Sequence, residues 1–141
     1  MSTYKKLIET VRLGLRGAGI ENAEFEAKEL LGLAMGTDCR GAEFLKALQG
    51  SVSGEVASRF LALADRRKKG EPLQYILGEW EFYGLPFKVG VGVLVPRQDT
   101  EALVDLAVEK SKRKHGLTVI DLCSGSGCIG IAIEKNLDCK R

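Results

Sequence analysis

The sequence predicts an α-helical N-terminal bundle, then a β-hairpin linker, then the first β-strand and helices of an incomplete α/β domain. Three observations carry that expectation. Apolar residues recur at helical spacing through residues 1–70. Past Pro72 aromatic and β-branched residues take over, punctuated by Gly84, Gly90 and Gly92. At 117–133, "LTVIDLCSGSGCIGIAI" joins two apolar runs through a turn of small residues.

In the first region, Tyr4, Leu7, Ile8, Val11 and Leu15 form a helical stripe over residues 3–19, ending near Gly17 and Gly19. A second helix is predicted over 22–35, with Asn22 as N-cap, Glu24 and Glu26 in the first turn, and Phe25, Leu30, Leu31 and Leu33 as apolar positions. A short helix near 41–49 is expected to bury Phe44, Leu45 and Leu48. A longer one over 54–69 uses Val56, Phe60, Leu61 and Leu63 and stops before Gly70 and Pro72. Residues 1–70 hold 12 basic and 9 acidic residues, and that net of +3 names no partner.

Residues 71–95 are expected to be the linker: one helical turn in "EPLQYILG", then paired strands with a turn near Gly84-Leu85-Pro86. Residues 96–141 begin with an amphipathic helix in "RQDTEALVDLAVEKSKRK", capped by Asp99 or Thr100, with Leu103, Val104, Leu106, Ala107 and Val108 on its apolar side. "GLTVIDLC" reads as a short buried strand, and a helix follows from about 128. Helix, strand, Gly-rich turn and helix in this order open a doubly wound α/β domain. Such a domain needs further strands to satisfy the first strand's backbone, so the expectation is a piece of a longer protein whose unpaired 117–122 segment leads to self-association or to local disorder of the C-terminal third.

Composition excludes several classes. At 45% apolar and 28% charged residues with a net charge of +2, the chain has the balance of an ordinary globular protein, with no nucleic-acid or membrane partner indicated. The clusters at 66–69 and 110–114 follow helices, where cations suit the dipole's C-terminal end. No signal peptide is expected, since Lys5 and Lys6 precede an amphipathic pattern, and no stretch approaches about 20 apolar residues. Cys39, Cys123, Cys128 and Cys139 show no C-x-x-C pair, and His115 is the one histidine, so no metal site is expected. Reduced cysteines and a cytoplasmic location follow as expectations.

The turn at 121–127 carries the chemistry. Gly125, Gly127 and Gly130 satisfy G-x-G-x-x-G after a strand, the dinucleotide fingerprint. Asp121 argues against it, because a carboxylate ending the strand repels phosphate and attracts a cation. S-adenosylmethionine suits that pattern, having an ammonium for Asp121, a carboxylate for the helix N-terminus after Gly127, and no phosphate. Glycines there let the backbone approach a ligand closely. A tight turn without a ligand is the plainer alternative.

The D-x-x-x-G-x-G turn resembles the first motif of class I methyltransferases, with Cys123 where Gly is common. That resemblance implies cofactor contacts from Asp121, Cys123, Ser124, Gly125, Ser126 and Gly127. Upstream, residues 71–104 resemble the peptide chain release factor glutamine methyltransferases, the HemK/PrmC family. Tyr75, Gly78, Phe82, Gly84 and Phe87 match its linker pattern, and Leu94, Val95, Pro96, Arg97, Thr100 and Glu101 match its L-I/V-P-R-P-x-T-E segment, with Gln98 in place of a proline. The resemblance implies a substrate-protein-binding helical domain, then a class I methyltransferase domain that methylates a glutamine amide of a release factor, with Arg97 and Thr100 beside the cofactor pocket. The family's N-P-P-Y motif, which holds the glutamine amide, does not occur in this chain, so no catalytic residue is expected here and the chain by itself is expected to be inactive. Two other readings stay open: a dinucleotide-dependent Rossmann enzyme, and a non-enzymatic helical interaction module.

Overall fold

The computed structural model describes residues 3–140, which divide into two compact units between Leu77 and Gly78.

The first unit is all helical: α1 (Tyr4–Gly17), α2 (Ala23–Met35), α3 (Ala42–Ala47), α4 (Gly54–Lys68) and α5 (Leu73–Leu77). Local chemistry sets the helix ends. Thr3 and Ser53 occupy extended N-cap positions, and their hydroxyls accept from Lys6 N at 3.4 Å and Val56 N at 3.1 Å. Gly36 closes α2 at φ 71, with Thr37 N donating to Gly32 O and Gly36 N to Leu33 O, the paired bonds of a Schellman end. Asn22 stands at the N-cap of α2, but its side chain makes no capping bond.

Helices α1, α2 and α4 pack on one another around Leu15, Leu30, Leu31, Phe44 and Phe60, all essentially inaccessible, and α5 closes the unit with Leu73 and Ile76. Phe25, expected as an apolar contact, is 49% exposed. The buried stripe of α2 is Ala23, Ala27, Leu30, Leu31 and Ala34, and position 25 points nearly opposite to positions 23 and 27. Leu45 and Leu61 are exposed for the same reason, one step of about 100° off the stripes through Phe44 and Phe60.

The one buried charged side chain among the described residues is Glu26. Arg67 of α4 meets it with two guanidinium N–H groups, Nε at 2.5 Å and Nη2 at 3.2 Å, and donates a third bond to Glu71 O at 3.3 Å. The pair joins helices 41 residues apart in sequence, with little solvent to screen it.

The second unit contains the hairpin β1 (Glu79–Phe82) and β2 (Leu85–Lys88), a 3₁₀ turn at Gln98–Thr100, α6 (Glu101–Ser111) and α7 (Cys128–Asn136). The strands pair antiparallel, Glu79 opposite Lys88 and Phe82 opposite Leu85. The turn is therefore Tyr83-Gly84, which starts one residue before the expected Gly84-Leu85-Pro86 and shares Gly84 with it, and Leu85 and Pro86 lie in β2. Both turn residues have positive φ, 53 and 71, the requirement of a type I′ turn that matches strand twist. For a tyrosine this left-handed conformation costs roughly 1–2 kcal/mol.

The hairpin is half of a shared core. Phe82 and Phe87 meet edge to face at 6.3 Å and pack with Val104 of α6 and Cys128 and Ala132 of α7. Only Val104 of the expected apolar side of α6 is fully buried; Leu103 and Leu106 are about half exposed. Neither Asp99 nor Thr100 caps α6 with a side-chain bond, because the 3₁₀ turn leads into the helix and leaves Thr100 in right-handed helical geometry.

Residues 117–122 do not form the expected buried strand. Ile120 is 79% and Leu122 81% exposed, and the only pairing in this stretch among the described residues is an isolated parallel bridge, Leu117 to Cys139. Leu117 N donates to Asp138 O at 3.1 Å, and Lys140 N donates to Leu117 O at 2.8 Å. A ladder needs partners on its edges, and here only the first residue has one. The bridge is parallel. Two parallel segments flank α7, the crossover arrangement that parallel pairing requires.

Replacing Glu26 with Ala strands the Arg67 guanidinium against the α2–α4 contact and should cost about 2–4 kcal/mol. Urea unfolding followed at the helical signal measures it; a loss below ~0.5 kcal/mol would show the pair to be a weak surface bridge.

Candidate functional site

The turn from Asp121 to Gly127 is shaped by three residues of positive φ: Cys123 at 59, Gly125 at 56 and Gly127 at 75. Cys123, the only one of the three with a side chain, is exposed, so its strain is local. Gly127 N donates to Ser124 O at 2.8 Å and closes the turn, and Gly127 is the N-cap of α7. Ser124 and Gly125 face solvent; Ser126 and Gly127 are half-buried.

Asp121 faces the start of that helix. Its Oδ2 accepts the backbone N–H of Gly130 at 3.0 Å. A carboxylate in the first turn satisfies one of the four N–H groups that helix geometry leaves unpaired, and the dipole favours its charge. Gly130 makes the approach possible. A Cβ at 130 would lie 3.0 Å from Oδ2 and 3.1 Å from Cβ of Asp121. The third glycine of the fingerprint thus gives room to an acid, a role the expected site residues omitted. The G-x-G-x-x-G spacing was the signal for it, since the last glycine of such a turn serves close helix packing.

Two backbone donors of the same turn, Cys128 N and Ile129 N, have no intrahelical acceptor by geometry. Asp121 Oδ1 accepts no protein hydrogen bond among the described residues. An acid with a free oxygen next to free helix N–H groups can receive an ammonium and a carboxylate at once, which is the α-amino-acid pattern. A phosphate would meet the Asp121 charge already on the helix N-terminus.

Arg97 and Thr100 are linked to each other through Thr100 N donating to Arg97 O at 3.0 Å. Arg97 is exposed, and among the described residues neither side chain makes a hydrogen bond or ion pair with residues 121–127. Glu101 beside them accepts from the N–H of Tyr83 at 2.8 Å, and Tyr83 Oη donates to Asp105 Oδ1 at 2.7 Å. The hydrogen bond to Asp105 raises the Tyr83 phenol above its ordinary value, helped by burial and by the charges of Asp105 and Glu101.

The four cysteines are free. Cys39 Sγ donates to Glu29 Oε1 at 3.1 Å, and burial first, then that carboxylate, pushes the thiol up to about 12, far from a reactive thiolate. No helix among the described residues is long and apolar enough to cross a membrane.

The PrmC N-terminal domain family model matches residues 6–78, from the first turn of α1 through α5. The chain belongs to the PrmC N-terminal domain family. Similarity to curated proteins runs through both units of this PrmC-family chain. It is 42% identical over 137 residues to the release factor glutamine methyltransferase of Geobacter sulfurreducens, covering 96% of this chain and 46% of that protein. The protein of the same name from Moorella thermoacetica is 38% identical over 137 residues, 97% of this chain and 47% of its own length. That of Thermodesulfovibrio yellowstonii is 49% identical over 87 residues, 60% of this chain and 31% of its own. The chain spans less than half the length of these relatives.

Gly130→Ala should lower stability by about 1 kcal/mol although alanine is the better helix former, because the new methyl displaces Asp121. The Asp121→Ala/Gly130→Ala pair removes the 3.0 Å contact with Oδ2 and keeps the 3.1 Å contact with Cβ, so it should recover only part of that loss in urea unfolding. A stabilising G130A single variant would show that Asp121 does not need the space.

Proposed function

We propose that this chain is the front part of an S-adenosylmethionine-dependent enzyme that methylates a glutamine side-chain amide of a peptide chain release factor in the cytoplasm. The observation that carries the reading is Asp121 held at Gly130 N–H with its second oxygen free. That arrangement fits an amino-acid-like ligand and disfavours the pyrophosphate of a dinucleotide. The names of the curated relatives support the same chemistry.

S-adenosylmethionine supplies a methyl group activated on a sulfonium. Asp121 Oδ1 would hold the ammonium, and Cys128 N and Ile129 N the carboxylate. Cys123, Ser124, Gly125, Ser126 and Gly127 would line the ligand with a backbone that few side chains obstruct. Arg97 and Thr100 would border the pocket. These residues would bind and orient the cofactor; holding the acceptor amide would fall to residues outside this set. An amide nitrogen is a weak nucleophile, so transfer depends on alignment that this chain by itself lacks. We therefore expect the chain alone to transfer no methyl group. Residues 1–70 would contact the release factor, and exposed Ile120 and Leu122 support self-association of the isolated chain.

Equilibrium dialysis against labelled S-adenosylmethionine tests the site. Asp121→Ala should weaken binding about tenfold or more, the loss expected when a charged hydrogen-bond partner is removed. Equal binding by wild type and variant would remove Asp121 from the site. Labelled methyl appearing on a release factor mixed with this chain would contradict its expected inactivity.

A further inference from the structure

The hairpin tip makes a contact that the cofactor reading leaves unused. Tyr83 stands at φ 53, and its backbone N–H donates to Glu101 Oε1 at 2.8 Å while its phenol donates to Asp105 Oδ1 at 2.7 Å. Glu101 and Asp105 are four residues apart and so share one face of α6. One turn residue therefore engages two successive acceptors along the helix, and its left-handed backbone directs the N–H to the first of them.

The consequence reaches beyond the hairpin. Glu101 opens α6 directly after the 98–100 turn that follows Arg97. Phe82, the neighbour of Tyr83, packs in one buried cluster with Val104 of α6 and with Cys128, the first residue of α7. Tyr83 packs against that cluster too. The hairpin tip, the start of α6 and the start of α7 are thus tied by hydrogen bonds on one side and by apolar contact on the other.

We propose that Tyr83 is a positioning residue which, through its bonds to both Glu101 and Asp105, keeps the start of α6 and the Arg97–Thr100 segment in register with the first turn of α7, where Asp121 meets Gly130. The proposal rests on the reading of residues 121–127 as the cofactor turn and adds to it the element that aligns its two halves. The plainer alternative is that Glu101 serves only as a negative charge at a helix start.

Amide hydrogen exchange of the full chain, without ligand, separates these. Glu101→Ala removes the acceptor of the Tyr83 N–H, Glu101→Gln keeps a carbonyl oxygen there but removes the charge, and Tyr83→Phe removes only the phenol bond. Coupling predicts that Glu101→Ala speeds exchange about tenfold or more at Tyr83, Thr100 and Gly130, while Glu101→Gln stays within about twofold of wild type. Acceleration confined to Tyr83, or a Glu101→Gln variant as fast as Glu101→Ala, overturns the proposal. If Glu101→Ala does not fold, Tyr83→Phe decides: about threefold faster exchange at Gly130 supports the coupling, and an unchanged rate there overturns it. Coupled exchange in a chain that binds no S-adenosylhomocysteine would remove the cofactor reading and leave the coupling standing.

Discussion

The second unit depends on one close approach, that of the Asp121 carboxylate to the backbone N–H of Gly130. It fixes where the turn ends and where α7 begins, and it places a negative charge on a helix end that otherwise invites an anion. Both features follow from the absence of a side chain at position 130. In the proposed reading, the Asp121 charge disfavours a phosphate, and the two helix donors left over suit a ligand with adjacent positive and negative groups. This is the physical content behind a motif that, as spacing alone, also describes dinucleotide sites.

The two units answer to different forces. The first is held by interlocking helices and by one shielded ion pair, Glu26 with Arg67, and its interfaces rest on alanines as much as on large side chains. The second has a smaller core in which a two-stranded hairpin is the one sheet among the described residues. Phe82 and Phe87 fill the space beside α6 and α7. The hairpin thus belongs physically to the unit that carries the Asp121–Gly127 turn.

Most helices were legible in the sequence because their caps and stripes are local: Ser53 before α4, Gly36 after α2, Leu30 and Leu31 within it. The errors were of two kinds. Large residues drew more weight than small ones, so Phe25, Leu45 and Leu61 were expected inside while Ala23, Ala27 and Ala34 carry the contact. Gly84-Leu85-Pro86 has turn composition, yet the turn is Tyr83-Gly84, because the contacts that Glu101 and Asp105 make with Tyr83 lie 18 and 22 residues away and no local pattern reveals them. In the candidate site, Asp121 was legible as the end of an apolar run. Its bond to Gly130 was not, since it depends on how the turn folds back. The 117–122 segment has the composition of a buried strand, and its neighbours among the described residues supply one bridge only.

The central claim is that the Asp121 turn receives an amino-acid-like ligand and rejects a phosphate. Calorimetric titration of the chain with S-adenosylhomocysteine and, separately, with a nicotinamide dinucleotide tests it most directly. The account predicts heat of binding with S-adenosylhomocysteine, lost in Asp121→Ala, and none with the dinucleotide. Binding of the dinucleotide that grows tighter when Asp121 is replaced, with no response to S-adenosylhomocysteine, would contradict it.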